Sequence, residues 1–340
     1  MHRIASLSLA LATLAVSPSV FAQDEDPAAD GDLVDVVALP SHDAFDRFEW
    51  YGEELEYAIE ILGSEAARSA LQAGYPEVDE DGHSYIPVYG LALSIGFFGS
   101  VYPLEDTAET WIDTASGLPS WTSKTIDERG SVRVYEVDYQ REQFRSRVNR
   151  TRDGVRAEYF RYTPTDLHDA LSWIYDLRSR DLSVGAEYTY HIYDGWKLSR
   201  LSVRVDSHTE VYTELGFLEV AEIRFVREVM SSSAPLPWAN QIVSLPPIYF
   251  VSGEAEEIGV GWFGLDERRL PVGTQIDTPI GNMRVLLTEV RGPDRSFTPD
   301  PALGAFDRWP TLAPFDIPVP ASTETATEND DEGALDATDG

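Results

Sequence analysis

Residues 169–203 read DALSWIYDLRSRDLSVGAEYTYHIYDGWKLSRLSV, and their spacing changes period in the middle. Leu167, Ala170, Leu171, Ile174 and Leu177 form one apolar stripe at helical spacing, which predicts a short helix over about 166–180. Asp166 is placed to cap it and Asp169 falls in its first turn. His168, Ser172 and Asp176 make a polar face, read as solvated, and Asp176 and Arg180 are spaced for an i,i+4 ion pair. After Gly185 the pattern alternates, and Asp194-Gly195 suits the two-residue turn of a β-hairpin. That turn would set Tyr193 opposite Trp196, Ile192 opposite Lys197, His191 opposite Leu198 and Tyr188 opposite Leu201. Leu201, Val203 and Val205 share a face beyond it. Helix and hairpin thus send apolar surface toward one core, as the seam of a β-rich shell would.

The same alternation recurs outward from this stretch. Residues 105–114, 121–127, 132–139, 143–150, 155–162, 188–193, 196–205 and 218–226 are each broken from the next by Gly, Pro, Asp or Ser, which predicts antiparallel strands. Residues 230–245, rich in Ser and Pro, read as a loop, with strands at 260–265 and 283–290 after it. Over 53–71, Leu55, Ile59, Leu62 and Ala66 fall near helical spacing and, taken alone, predict a helix. No internal repeat is visible. Residues 46–292 form the expected β-rich domain.

The ends carry a different message. Arg3, an apolar run over residues 4–16, and small residues near Val20 and Ala22 predict a secretory signal over 1–22, with the mature chain starting at Gln23. The run falls well short of the roughly 20 residues of a spanning helix, so no transmembrane span is expected in the mature chain. Residues 23–45 are acidic, and 293–340 are Pro-rich and then acidic; both lack apolar periodicity and are expected to be disordered. With no cysteine, the chain has no disulfide, no thiolate metal site and no site for a lipoprotein anchor, which points to a bacterial periplasm. A net charge of −33 and only two lysines, Lys124 and Lys197, exclude nucleic acid as a natural partner and disfavour anionic lipid surfaces.

Motifs that resemble active sites fail on chemistry. In His168, Ser172 and Asp176 the serine lies between histidine and carboxylate, whereas a triad needs the histidine between them. Residues 92–96, ALSIG, loosely match a nucleophile elbow, but Gly96-Phe97-Phe98-Gly99 is a poor helix start. Residues 259–264, GVGWFG, match the dinucleotide fingerprint by letter, yet Leu265 to Pro271 offer a turn where a helix is required; the glycines read better as points of close packing. No histidine spacing suits zinc, and the acidic tails lack a calcium-loop pattern. No cofactor and no catalytic residue are expected, and the protein is read as a non-enzyme.

Four blocks in order, GEELEYAIEILGSEAARSAL, ETWIDTASGLPSWTSKTIDERG, DALSWIYDLRSRDLSVGAEYTYHIYDGWK and GWFGLDERRLPVGTQIDTPIGNMRVLLTEV, resemble the exported bacterial proteins of the domain of unknown function 3108 family. The resemblance covers about residues 52–291. It implies a mainly β fold, a curved antiparallel sheet forming an open or incomplete barrel with the short helix packed on it, similar in outline to periplasmic lipoprotein carriers. It also turns residues 53–71 into two strands meeting at Leu62-Gly63, in keeping with the roughly 1 kcal/mol that glycine costs a helix. The loop over 230–257 and the acidic tails depart from the family pattern.

Trp111, Trp121, Trp173, Trp196 and Trp262, with Tyr188, Tyr190 and Phe263, are dense for one domain. Core filling accounts for most such residues, but tryptophan and tyrosine also line apolar sites with a polar lip. The functional expectation is an apolar cavity for a lipid or acyl group, lined or lidded by Leu167, Leu171, Trp173, Ile174, Tyr188, Tyr190, Trp196 and Trp262. The alternatives are a surface for an envelope protein partner or, less favoured, a hydrolase.

Overall fold

Alternation dominates the computed structural model, which describes residues 50–80, 82–233, 247–278 and 281–292. The expected signal, both acidic tails and residues 234–245 of the Ser/Pro-rich loop lie outside the described residues. The chain opens with β1 (Glu54–Ile61) and β2 (Ser64–Ala73), joined by a turn in which Leu62 and Gly63 have φ of 53° and 75°. The helix that spacing alone predicted here is therefore two strands, as the resemblance implied. Then come β3 (Glu77–Val78), β4 (Ser84–Ser94), the short helix α1 (Gly96–Val101), β5 (Leu104–Asp113), β6 (Pro119–Glu128) and β7 (Ser131–Gln140). A 3-10 turn (Arg141–Gln143) leads into β8 (Arg145–Arg152) and β9 (Val155–Tyr162). In β5, and in β6 from Thr122 onward, every second residue is buried, so each strand gives one face to the interior and one to solvent.

The second half begins with β10 (Leu167–His168) and helix α2 (Ser172–Ser179), followed by β11 (Glu187–Tyr193), β12 (Leu198–Thr213) and β13 (Gly216–Ser233). It ends with β14 (Ile248–Val251), β15 (Glu256–Gly264), β16 (Pro271–Thr278) and β17 (Gly281–Arg291). Residues 230–233, read as loop, continue β13 and pair with β14.

All strands belong to one open sheet. β1 pairs antiparallel with both β2 and β17, which splices the two halves of the chain together. From that centre one wing runs through β2, β4, β5, β6, β7 and β8 to β9. The other runs through β17, β16, β15, β13, β12 and β11 to β10, whose pairing with β11 is parallel. The expected curved, unclosed antiparallel sheet is what forms. Side chains hold the two wings together: Tyr135, Val137 and Val148 of the first wing pack with Tyr193, Leu198, Met230 and Tyr249 of the second. The Tyr159 hydroxyl donates to the Gly195 carbonyl at 2.7 Å across the same meeting line.

Two expectations in the opening stretch need correction. The helix spans only Ser172–Ser179, because Leu167 and His168 pair with His191 and Ile192 as a strand. Asp166 caps nothing and instead meets His191 Nδ1 at 2.9 Å, while Asp169 Oδ1 accepts from the Leu171 and Ser172 amides just before the first turn. The hairpin loop is four residues long, with Tyr193 opposite Leu198, Ile192 opposite Ser199 and Tyr188 opposite Val203. Asp194 is the cause: its Oδ1 accepts from the Trp196 and Lys197 amides, pulling both into the turn. The shift is two residues, so the predicted faces survive.

Candidate functional site

Helix α2 is enclosed by the curl, and every residue from Ser172 to Arg178 is buried. Its apolar side belongs to the main core: Leu171 and Trp173 have no exposure, and the Trp173 ring meets Phe225 edge-on at 5.6 Å. Leu171, Trp173, Ile174, Tyr190 and Trp262 of the expected lining come together in this cluster, with Tyr188 partly buried against it. Leu167 packs in the second cluster, at the line where the wings meet. Trp196 is 47% exposed in the hairpin loop and belongs to neither.

The supposedly solvated face of α2 is buried as well, because the sheet wraps both sides of the helix. Asp169, with no exposure, is the hub. One oxygen accepts from the Thr110 and Thr122 hydroxyls of the first wing, and the other from the helix amides. The Ser172 hydroxyl accepts from the Asp169 amide at 3.1 Å and shares a 3.1 Å hydrogen bond with His168 Nδ1. Burial pushes His168 down to about 4, so it is neutral at physiological pH. The Asp176 carboxylate forms the expected ion pair with Arg180, at 2.8 and 3.1 Å, and accepts from Tyr190 at 2.8 Å. His168 and Ser172 therefore touch, but Asp176 is held by other donors and the group is sealed from solvent.

Arg178 ties the helix to the far end of the chain. It is 1% exposed, makes a fork of 2.7 and 3.1 Å to both oxygens of Glu53, and donates to the Arg268 carbonyl at 3.0 Å. Its guanidinium also lies 5.3 Å from the Tyr175 ring centre. Sequence reading missed this pair, since 125 residues separate the partners and no local pattern links them.

A helix does follow residues 92–96, correcting the poor helix start, but it begins at Gly96 and the Ser94 hydroxyl accepts from the Leu104 amide at 2.9 Å. The GVGWFG segment lies in β15, where a Cβ on Gly259 would sit 2.1 Å from the Gln275 carbonyl and one on Gly261 would sit 2.5 Å from the Phe225 ring. Those glycines serve close packing of strand on strand. Among the described residues no cluster of His, Asp and Glu could hold a metal ion, and no helix is long and apolar enough to cross a membrane.

The cleft lies elsewhere, on the first wing. It has a volume of about 510 Å³ and is lined by Tyr85 of β4, by Trp111 and Asp113 of β5, by Ser116 after it, and by Arg141 and Gln143 of the 3-10 turn. Tyr85 and Trp111 stack at 4.6 Å with planes 16° apart, and Trp121 tilts against Trp111 at 5.0 Å. Trp111 and Trp121 were visible in the sequence as aromatic excess. Tyr85 was not, because β4, with Pro87 and Gly90 inside it, does not alternate cleanly.

A family model described as a protein of unknown function, DUF3108, matches residues 56–288. Among solved structures, the chain is similar to a β-barrel-like protein of domain of unknown function DUF1849 from Brucella abortus, at 9% identity and a TM-score of 0.44, covering 72% of this chain and 98% of that one. It is also similar to a protein described as a lipoprotein from Parabacteroides distasonis, at 11% identity and a TM-score of 0.28, covering 71% and 95%. A third likeness is to a protein described as exported, with a YmcC-like fold, from Bacteroides fragilis, at 7% identity and a TM-score of 0.25, covering 71% and 96%. No curated protein matches the chain.

Proposed function

The chain belongs to the DUF3108 family, and on that premise we propose that it is an exported, non-enzymatic binding protein of the bacterial cell envelope, working in the periplasm. The observation that carries this reading is the contrast between the two faces of the first wing. Inside, Asp169 and its hydroxyl and amide donors are consumed by the fold, so this buried group meets no substrate. Outside, an aromatic-walled cleft of about 510 Å³ is of a size for a small ligand. The test is to express the full chain with its leader, isolate the exported form and identify by mass spectrometry what travels with it. An envelope component held without chemical change supports the reading. Turnover of ester, amide or glycoside substrates by the pure protein contradicts it, and a single stoichiometric protein partner moves the assignment to a partner surface.

One observation favours an apolar guest as a second reading. Trp173 Nε1 and the Tyr175 hydroxyl are buried on α2 without a hydrogen-bond partner, a cost of roughly 1–3 kcal/mol each that the polar end of an acyl ligand could relieve. The helix would then cover the guest, with Tyr188, Tyr190 and Trp262 of the expected lining around it. Leu171→Ala should both destabilise the fold by about 2–5 kcal/mol and alter affinity for a fluorescent fatty acid. Loss of stability with no probe binding by either protein leaves α2 as core alone.

A further inference from the structure

The cleft on the first wing has features that the sheet does not need for its own stability. Tyr85, Trp111 and Trp121 are partly exposed, on the solvent side of strands whose other face already supplies the core. Two of their polar ends are fixed: Trp111 Nε1 donates to Glu109 at 2.8 Å and the Tyr85 hydroxyl to Glu77 at 3.1 Å. Aromatic surface is thus held rigidly beside a polar cavity.

Arg141 is the second feature. One terminal nitrogen, Nη2, donates to the carbonyls of Pro119 and Leu167, and the guanidinium lies 5.4 Å from the Tyr139 ring centre. Nε is buried without a partner, and among the described residues no carboxylate lies within ion-pair distance of the group. Burial lowers it to about 10, which leaves it charged at neutral pH. A fixed arginine with spare donors, beside Asp113 and Gln143, offers both donors and acceptors to a ligand rich in hydroxyl groups.

Charge narrows the ligand. Asp79, Asp113 and Glu142 outnumber Arg141 around the cleft, and the whole chain carries −33, so a polyanion would be repelled. A purely apolar chain would strand the carboxylates and Arg141 without water or partners. What satisfies rigid aromatic surface, mixed hydrogen-bonding groups and an acidic field together is an uncharged ring with an apolar C–H face and a polar hydroxyl rim. We propose that this cleft binds neutral or N-acetylated hexopyranose units of a glycan, with sugar C–H groups against the aromatic surface that the stacked Tyr85–Trp111 pair leaves open to the cleft and hydroxyls on Arg141, Asp113 and Gln143.

This inference rests on the binding reading above and assigns its ligand class. The test titrates the full exported chain with the N-acetylglucosamine tetramer and, separately, the glucose tetramer, followed by calorimetry and tryptophan fluorescence. Saturable binding of at least one sugar is expected, weakened about tenfold or more by Trp111→Ala and by Tyr85→Ala, and little changed by Val155→Ala on the distant edge strand β9. Preference for the N-acetylated sugar would point to cell-wall glycan, and preference for glucose to a neutral polysaccharide. If Trp111→Ala fails to fold, Tyr85→Ala and the exposed Gln143→Ala carry the test. Absence of saturable binding up to the solubility of both sugars, or binding that these variants leave intact, overturns the proposal. An envelope component that still co-purifies in that event would leave the broader binding reading standing.

Discussion

His168 is buried where the opposite wing covers the polar side of the segment that leads into α2. A polar stripe of His168, Ser172 and Asp176 on one helix face normally means solvent, and nothing local distinguishes it from a stripe that another sheet will cover. Here Thr110 and Thr122 of the opposite wing reach across to Asp169. Burial lowers His168 from 6.5 to about 4, so the folded state binds fewer protons than the unfolded chain between those values. The stability this represents, about 3 kcal/mol, is present above pH 6.5 and lost progressively as pH falls toward 4. Glu54 acts in the opposite direction, since burial raises it to about 7, so the comparison with a variant isolates the histidine. His168→Gln should lose less stability than wild type between pH 6.5 and 4 in urea unfolding; parallel pH curves would contradict a buried neutral histidine. Arg178 supports a second comparison. Arg178→Met leaves the Glu53 carboxylate buried, with Arg268 at 3.4 Å as its remaining cation, and should cost about 3–5 kcal/mol, while Arg178→Met with Glu53→Leu should recover most of it. Equal losses in the single and double variants would show that the pair is not buried in solution.

At the scale of elements, legibility followed the clarity of alternation. β5, β6 and β7 bury one face, and they and the exposed edge strand β9 were found to within a few residues. β4 and β16 were missed because Pro87 and Gly90, and Pro271 and Gly273, interrupt strands buried on both sides. Helix α2 was located but drawn too long, since helical spacing runs through Leu167 while the backbone there pairs with β11. The hairpin turn was recognised and its register missed by two, because Asp194 Oδ1 takes the Trp196 amide that a two-residue turn would need for the Tyr193 carbonyl. Burial opposes ionisation of Asp194, yet the Lys124 ammonium at 2.5 Å holds its carboxyl below the usual range and fixes the loop against the first wing. Gly195 has φ of 90°, and a Cβ there would sit 3.0 Å from Tyr135. Gly195→Ala should therefore destabilise by about 1–3 kcal/mol through both strain and contact. A neutral effect in thermal unfolding would mean the hairpin does not touch the first wing.

For the whole molecule, the organising fact is an open sheet that closes on itself through side chains. β9 and β10 end the two wings, and the wings meet through Tyr135, Tyr193, Met230 and their neighbours instead of a continuous ladder. A seam of that kind needs something to bind both wings, and α2 with the residues before it does so: Asp169 accepts from β5 and β6 of the first wing, while Asp176 accepts from Tyr190 of β11 and Trp173 meets Phe225 of β13 in the second. The curl was legible from the order of blocks along the chain; the polar bonds across it were not, because each joins residues dozens to more than a hundred positions apart. The central claim is that α2 is a fixed part of the core. Hydrogen–deuterium exchange of the α2 amides, compared with those of β12 over a range of denaturant, tests it most directly. The account predicts that amides of Tyr175 to Ser179 open with the same free energy and denaturant dependence as β12, in one global unfolding event. Exchange of α2 at a much lower free energy, while β12 stays protected, would show a helix that leaves the curl by itself and would contradict the claim.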